Sequence, residues 1–108
     1  MRDPAVFWSH NDGGTTASVV GFDRSGRPVA EVFVGARNRD WEDMDVGSCA
    51  AGSCLYLSDT GDNGERRNNI SVLRFAEPST DDTRADPVCF ELTLPDGPRD
   101  IEAMYVLP

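Results

Sequence analysis

A recurring five-residue string constrains this chain more than any other feature. Asp40-Trp41-Glu42-Asp43-Met44 returns sixty positions later as Asp100-Ile101-Glu102-Ala103-Met104. Each copy follows an Arg-containing turn, Arg37-Asn38-Arg39 or Pro98-Arg99, and each leads into an apolar run. Two fainter echoes keep the same order. Phe7-Trp8-Ser9-His10-Asn11-Asp12-Gly13 resembles Tyr56-Leu57-Ser58-Asp59-Thr60-Gly61-Asp62, and Ser18-Val19-Val20-Gly21-Phe22 resembles Ser71-Val72-Leu73-Arg74-Phe75. Self-similarity at a period of tens of residues marks a repeat architecture, in which one supersecondary unit buries its faces on copies of itself.

The unit is made of strands. Short β-rich runs alternate with turn signals, and no window carries helical periodicity. The runs are residues 5–9, 17–22, 29–34, 41–46, 54–58, 70–75, 88–94 and 101–107, eight strands in all. Asp23-Arg24-Ser25-Gly26 between the second and third reads as a hairpin turn. The polar stretch 79–87, with Asp81, Asp82 and Asp86, reads as an exposed connection. If the strand after the Asp-x-Glu string is A, the chain reads B, C, D, A, B, C, D, A. Four antiparallel strands repeated in this way predict all-β blades of a β-propeller rather than one sandwich with chance likenesses.

The expected organisation is a partial propeller over residues 1–108. Blade one covers 5–46, without its own first strand and including the next strand A. Blade two covers 41–94, and the start of a further blade covers 100–107. A propeller closes with four or more blades. The chain therefore reads as a piece of a longer protein, with the remaining blades as its partners; a ring of several copies is the alternative.

Charge narrows the partners. Nineteen acids face ten bases, a net charge of −9. Nucleic acid is not expected, because phosphate binding needs a basic face. No apolar run reaches the length of a membrane span, and residues 1–4 show no apolar core of a signal peptide. The cysteines point to an oxidising compartment. Cys49 and Cys54 bracket Ala50-Ala51-Gly52-Ser53 between two apolar runs, at the feet of a hairpin, so a disulfide is expected between them. The loop is short, and the bridge would add about 1–2 kcal/mol. Cys89, inside a strand-like run, is expected to be a buried free thiol.

Two acidic groups are candidate sites. Strict alternation places Asp40, Glu42 and Met44 on one face of a strand and Asp43 on the other. In a propeller this strand lines the central channel, so Glu42, Asp43, Asp100 and Glu102 would converge near its mouth. Converging carboxylates repel unless a cation or proton compensates, and an oxygen-only set favours Ca²⁺ over Zn²⁺. The alternative is that these acids bond backbone amides or pair with Arg37, Arg39 and Arg99. The second group is Ser58-Asp59-Thr60-Gly61-Asp62-Asn63-Gly64, where Asp59, Asp62 and Asn63 could hold a cation or simply bond their own turn. His10 is the only histidine, and neither a nucleophile elbow nor a phosphate loop occurs. Trp8 and Trp41 are expected to pack between blades.

The motifs bear on family as well. The Asp40–Met44 string, Leu55-Tyr56-Leu57-Ser58-Asp59-Thr60-Gly61-Asp62-Asn63, Ile70-Ser71-Val72-Leu73-Arg74-Phe75-Ala76-Glu77-Pro78 and Pro95-Asp96-Gly97-Pro98-Arg99-Asp100-Ile101-Glu102-Ala103 together resemble a group of uncharacterised bacterial secreted β-propellers. More distantly, Glu42-Asp43 at a strand start is similar to the calcium-binding acids of six-bladed paraoxonase and gluconolactonase-like propellers, a class that also includes esterase-like phytases. That resemblance implies Glu42 and Asp43 as calcium ligands. It implies a calcium-dependent lactonase, esterase or phosphoesterase as the alternative; since no nucleophile or base stands out in the sequence, the favoured expectation is a secreted or periplasmic binding or scaffold module. The second copy carries Ala103 where the first carries Asp43, so the acidic pair stands once.

Overall fold

The computed structural model describes residues 5–10, 17–36, 41–60, 70–93, 95, 101 and 103–107. The described residues form eight strands and no helix. They are β1 (Phe7–His10), β2 (Ser18–Phe22), β3 (Pro28–Val34), β4 (Trp41–Cys49), β5 (Gly52–Asp59), β6 (Ile70–Ala76), β7 (Arg84–Ala85) and β8 (Val88–Leu92). They assemble as two four-stranded sheets, β1-β2-β3-β7 and β4-β5-β6-β8, and neither closes on itself. All pairings are antiparallel except β3 with β7.

The eight strands are not the eight read from the sequence. Residues 79–87, expected to be a loop, contain β7. The chain leaves β6, crosses to the first sheet, pairs with β3, and returns to the second sheet as β8. Phe33 N–H donates to the Thr83 carbonyl, and Gly35 N–H donates to that of Ala85. Two short pairings are too brief to leave a period-two pattern. Residues 101–107, expected to be a strand, form no ladder among their described members.

The turns follow local chemistry. At the β2–β3 hairpin, Asp23 accepts from Ser25 N–H at 2.9 Å, Ser25 Oγ at 2.6 Å and Arg27 N–H at 2.9 Å. Gly26 there has φ of 85°, which a side chain would strain. The β4–β5 ladder closes at Cys49 opposite Gly52, leaving a two-residue turn of Ala50 and Ala51. Gly52, with φ of 102°, relieves the tight reversal.

One core lies between the sheets. Val19, Val32 and Val34 of the first sheet meet Trp41, Leu55, Leu57, Leu73 and Phe75 of the second, with Trp8, Met44 and Val46 packed against them. Both tryptophans thus stand between the sheets, as expected. A β-bulge at Glu42 makes this arrangement possible. Trp41 faces Asp59 and Asp43 faces Ser58, so Glu42 is an extra residue. Strict alternation would have put Trp41 on the face of Asp43 and Asp45. The bulge instead puts Trp41 on the core face with Met44 and Val46, and leaves Asp43 and Asp45 on the opposite face.

Pairing registers correct one echo. Ser18–Phe22 and Ser71–Phe75 match as the sequence suggests. Phe22 faces Phe7, whereas Phe75 faces Leu55. Phe7 therefore corresponds to Leu55 and Trp8 to Tyr56, one residue off the alignment that sets Phe7 against Tyr56. The same ladders match Val32 with Phe90 and Val34 with Leu92. With this register, corresponding side chains of the two sheets point the same way along the stack. The sheets are stacked as successive copies rather than as mirror partners.

Cys89 is exposed, not buried. It sits on β8, an edge strand whose five residues are all exposed, beyond the area that the first sheet covers.

The Asp23 turn yields a titration prediction. The Ser25 hydroxyl, followed by the Arg27 amide, holds the Asp23 carboxyl below its ordinary pKa. A carboxyl depressed on folding adds stability above its unfolded pKa, and that contribution is lost as pH falls through the folded value. NMR titration is expected to show an Asp23 midpoint below that of an unfolded aspartate, moving back up in Ser25→Ala. An unchanged midpoint in the variant would contradict the assignment.

Candidate functional site: the acidic strand and its clamped segment

The acids of β4 hold main chain. Asp43 accepts the N–H of Met44 on one carboxylate oxygen at 2.8 Å and that of Met104 on the other, also at 2.8 Å. Asp45 repeats the arrangement one step on, with Val46 N–H at 2.8 Å and Val106 N–H at 2.7 Å. The alternation of β4 puts both carboxylates on the face away from the core, where residues 103–107 run alongside. Thr60 completes the attachment: its Oγ1 donates to the Ile101 carbonyl at 2.8 Å, and Ile101 N–H donates to the Thr60 carbonyl at 3.2 Å. Gly47 allows the close approach, since a Cβ there would stand 2.8 Å from Val106 Cγ1. Met104 and Val106 thus hang from side-chain acceptors and Ile101 from Thr60, with no continuous backbone ladder among the described residues.

The sequence-derived site divides accordingly. Asp43 takes the role the alternative reading gave it, acceptor for backbone amides. Glu42 is half-buried at the bulge, and Asp59 is buried at the end of β5. Asp100, Glu102, Asp62 and Asn63 lie outside the described residues, as do Arg37, Arg39 and Arg99. Among the described residues no three His, Cys, Asp or Glu side chains are gathered as a metal site. His10 is half-buried at the end of β1, opposite Val19.

The Cys49–Cys54 disulfide is present, with Cα atoms 5.9 Å apart. The cysteines do not face each other directly. Cys49 lies opposite Gly52 and Cys54 opposite Gly47, so the bridge runs diagonally across the hairpin. Beside it opens a recess of about 270 Å³, lined by Cys49, Cys54, Arg74, Ala76, Asp86 and Val88 among others. That is below the size of sites that enclose small ligands, about 300–1,000 Å³.

Two residues matter more than the sequence indicated. Asp45 was read only as part of a strand. Glu77 stands just past the apolar run 70–75 and before Pro78, yet it is buried and joins the sheets. Its Oε1 accepts from Ser53 Oγ at 2.8 Å and its Oε2 from Trp8 Nε1 at 3.3 Å, while its N–H donates to the Ser53 carbonyl. A Glu directly before Pro78 looks like a boundary, and only the sheet packing brings Trp8 to it.

Comparison with protein-family models, curated proteins and solved structures returned no match.

Each clamp has a distinct signature. Asp45→Ala is expected to free the Val106 amide in hydrogen exchange while that of Met104 stays protected; Asp43→Ala should do the reverse. Each loses hydrogen bonds to a charged acceptor, at a cost of about 1–3 kcal/mol. Glu77→Ala strands two donors between the sheets and is expected to cost about 2–4 kcal/mol by chemical denaturation, with Glu77→Gln retaining much of it.

Proposed function

We propose that the chain supplies two adjoining blades of a secreted-type β-propeller and acts as a non-catalytic binding or scaffold module. One observation carries the reading. Two acids of β4 hold the next segment of main chain, Asp43 and Asp45 each bridging β4 to residues 104–106. A carboxylate committed on both oxygens to amides fixes geometry; it is poorly placed to take or give a proton.

The stacking sense supports the blade assignment. β4-β5-β6-β8 is an antiparallel meander apart from the excursion through β7, and β1-β2-β3 repeats three of its strands facing the same way. A two-sheet sandwich would turn polar side chains outward on both sides. Here both outward faces keep large apolar residues: Phe7 and Phe33 on one, Val88, Phe90 and Leu92 on the other. Further sheets on both sides would cover them. The disulfide supports an oxidising compartment, secreted or periplasmic.

Calcium belongs to this reading as a structural ion at the acid-bearing end of the inner strands. Glu42 and Asp43 would contribute, with Asp100 and Glu102 completing the set by the repeat. Asp43 keeps lone pairs for a cation beyond its two amide bonds.

Calorimetry tests both parts. Calcium is expected to raise the thermal midpoint and a chelator to lower it, with no turnover of lactones or phosphomonoesters in either state. Turnover that depends on calcium and is lost in Glu42→Gln would replace the scaffold reading with a hydrolase. A midpoint indifferent to calcium would remove the ion.

A further inference from the structure

The core of one sheet reappears on the surface of the other. Val19, Val32 and Val34 are buried in the first sheet. Their register equivalents in the second are Val72, Phe90 and Leu92, on the outward face, with Phe90 41% and Leu92 46% exposed. The converse holds as well. Leu55, Leu73 and Phe75 are buried in the second sheet, while their equivalents Phe7, Val20 and Phe22 line the outward face of the first, with Phe7 52% exposed. Each outward face is therefore a copy of a face already in the core, and the two copies are the two halves of the interface the chain already makes.

The strand edges match too. β1 is an edge strand, whereas its counterpart β5 pairs with β4. By the repeat, the counterpart of β4 is the segment 101–107. That segment is anchored to β4 at every second amide, 104 and 106, the spacing of extended chain, which turns the amide of Tyr105 the other way. Tyr105 and Leu107 are 78% and 74% exposed. Charge is complementary as well. The outward face of the first sheet carries Glu31, and that of the second carries Arg74, stacked on Phe90 with its guanidinium carbon 5.1 Å from the ring centre.

We propose that copies of this chain associate head to tail, the first sheet of one seating on the outward face of the second sheet of another. Residues 104–106 of the copy that offers its second sheet then pair with β1 of the copy seated on it. The β4–β5 register transfers directly: Met104 opposite Ser9, Tyr105 opposite Trp8, Val106 opposite Phe7. The argument for a second copy is continuity, since the new contact repeats the sheet-to-sheet packing within the chain. A contact between two different surfaces is heterologous and builds a ring or an open stack rather than a symmetric dimer. The inference rests on the repeat stacking that underlies the proposed function.

Sedimentation of the full chain and its variants tests it. The wild type is expected to form species larger than a dimer as concentration rises. Phe7→Glu and Phe90→Glu each damage one face and should be monomeric alone. Mixed, they retain one intact interface and should give a dimer and nothing larger. In a separate double variant, Phe7→Cys with Val106→Cys should crosslink between chains on oxidation. A wild type that stays monomeric at its solubility limit overturns the proposal, as does a single variant that still dimerises or a mixture that does not. A monomer whose Met104 and Val106 amides stay protected overturns self-association while leaving the blade reading standing. A monomer in which they exchange freely counts against both.

Discussion

Packing of like on unlike faces governs this molecule. Sheet one buries Val19 and Val32 against Leu55, Leu73 and Phe75 of sheet two, and those residues sit on opposite sides of equivalent strands. A repeat stacked in that sense satisfies itself only when the stack closes into a ring. Each added sheet covers one apolar face and offers another, because the pattern that makes a good core on one side is built again on the other. A sandwich escapes by making its outer faces polar; this chain does not.

Carboxylates do the work of a sheet ladder at the inner strand. In β4, Asp43 and Asp45 each accept one amide from their own strand and one from residues 104–106. The attachment runs from side chains of one segment to main chain of the other, and charge makes each bond stronger than a neutral pair. The β-bulge at Glu42 is the enabling detail. It turns Trp41 into the core and leaves the two acids free to reach the neighbouring segment. Glu77 is a third example, a buried carboxylate tying Trp8 of one sheet to Ser53 of the other.

What could be read from the chain follows the range of the forces involved. The β2–β3 hairpin, the Cys49–Cys54 bridge and seven strands, β1 to β6 and β8, were legible, because period-two patterning and turn residues are local signals. The one-residue slip that set Phe7 against Tyr56 was not avoidable by inspection. Both alignments pair an aromatic with a hydrophobe, and the pairing register alone separates them. β7 escaped because two residues carry no pattern. Residues 101–107 looked like a strand and carry the right composition, but the amides of Met104 and Val106 are held by side chains. Cys89 lay in an apolar run, yet its strand is an edge.

The candidate site was legible in position and not in role. An acidic string at the start of β4 marked Asp43, but whether its oxygens face an ion, an arginine or an amide depends on what lies across from β4. By itself the sequence determined the all-β class, seven of the strands, the β2–β3 and β4–β5 hairpins and the bridge, since each depends on neighbours a few residues away. The tertiary structure alone decided the facing of the two sheets, the bulge that turns Trp41 inward, and the partners of Asp43, Asp45 and Glu77. Those contacts join residues 24 to 69 positions apart, and no local preference of the chain specifies which of many distant groups will be brought to them.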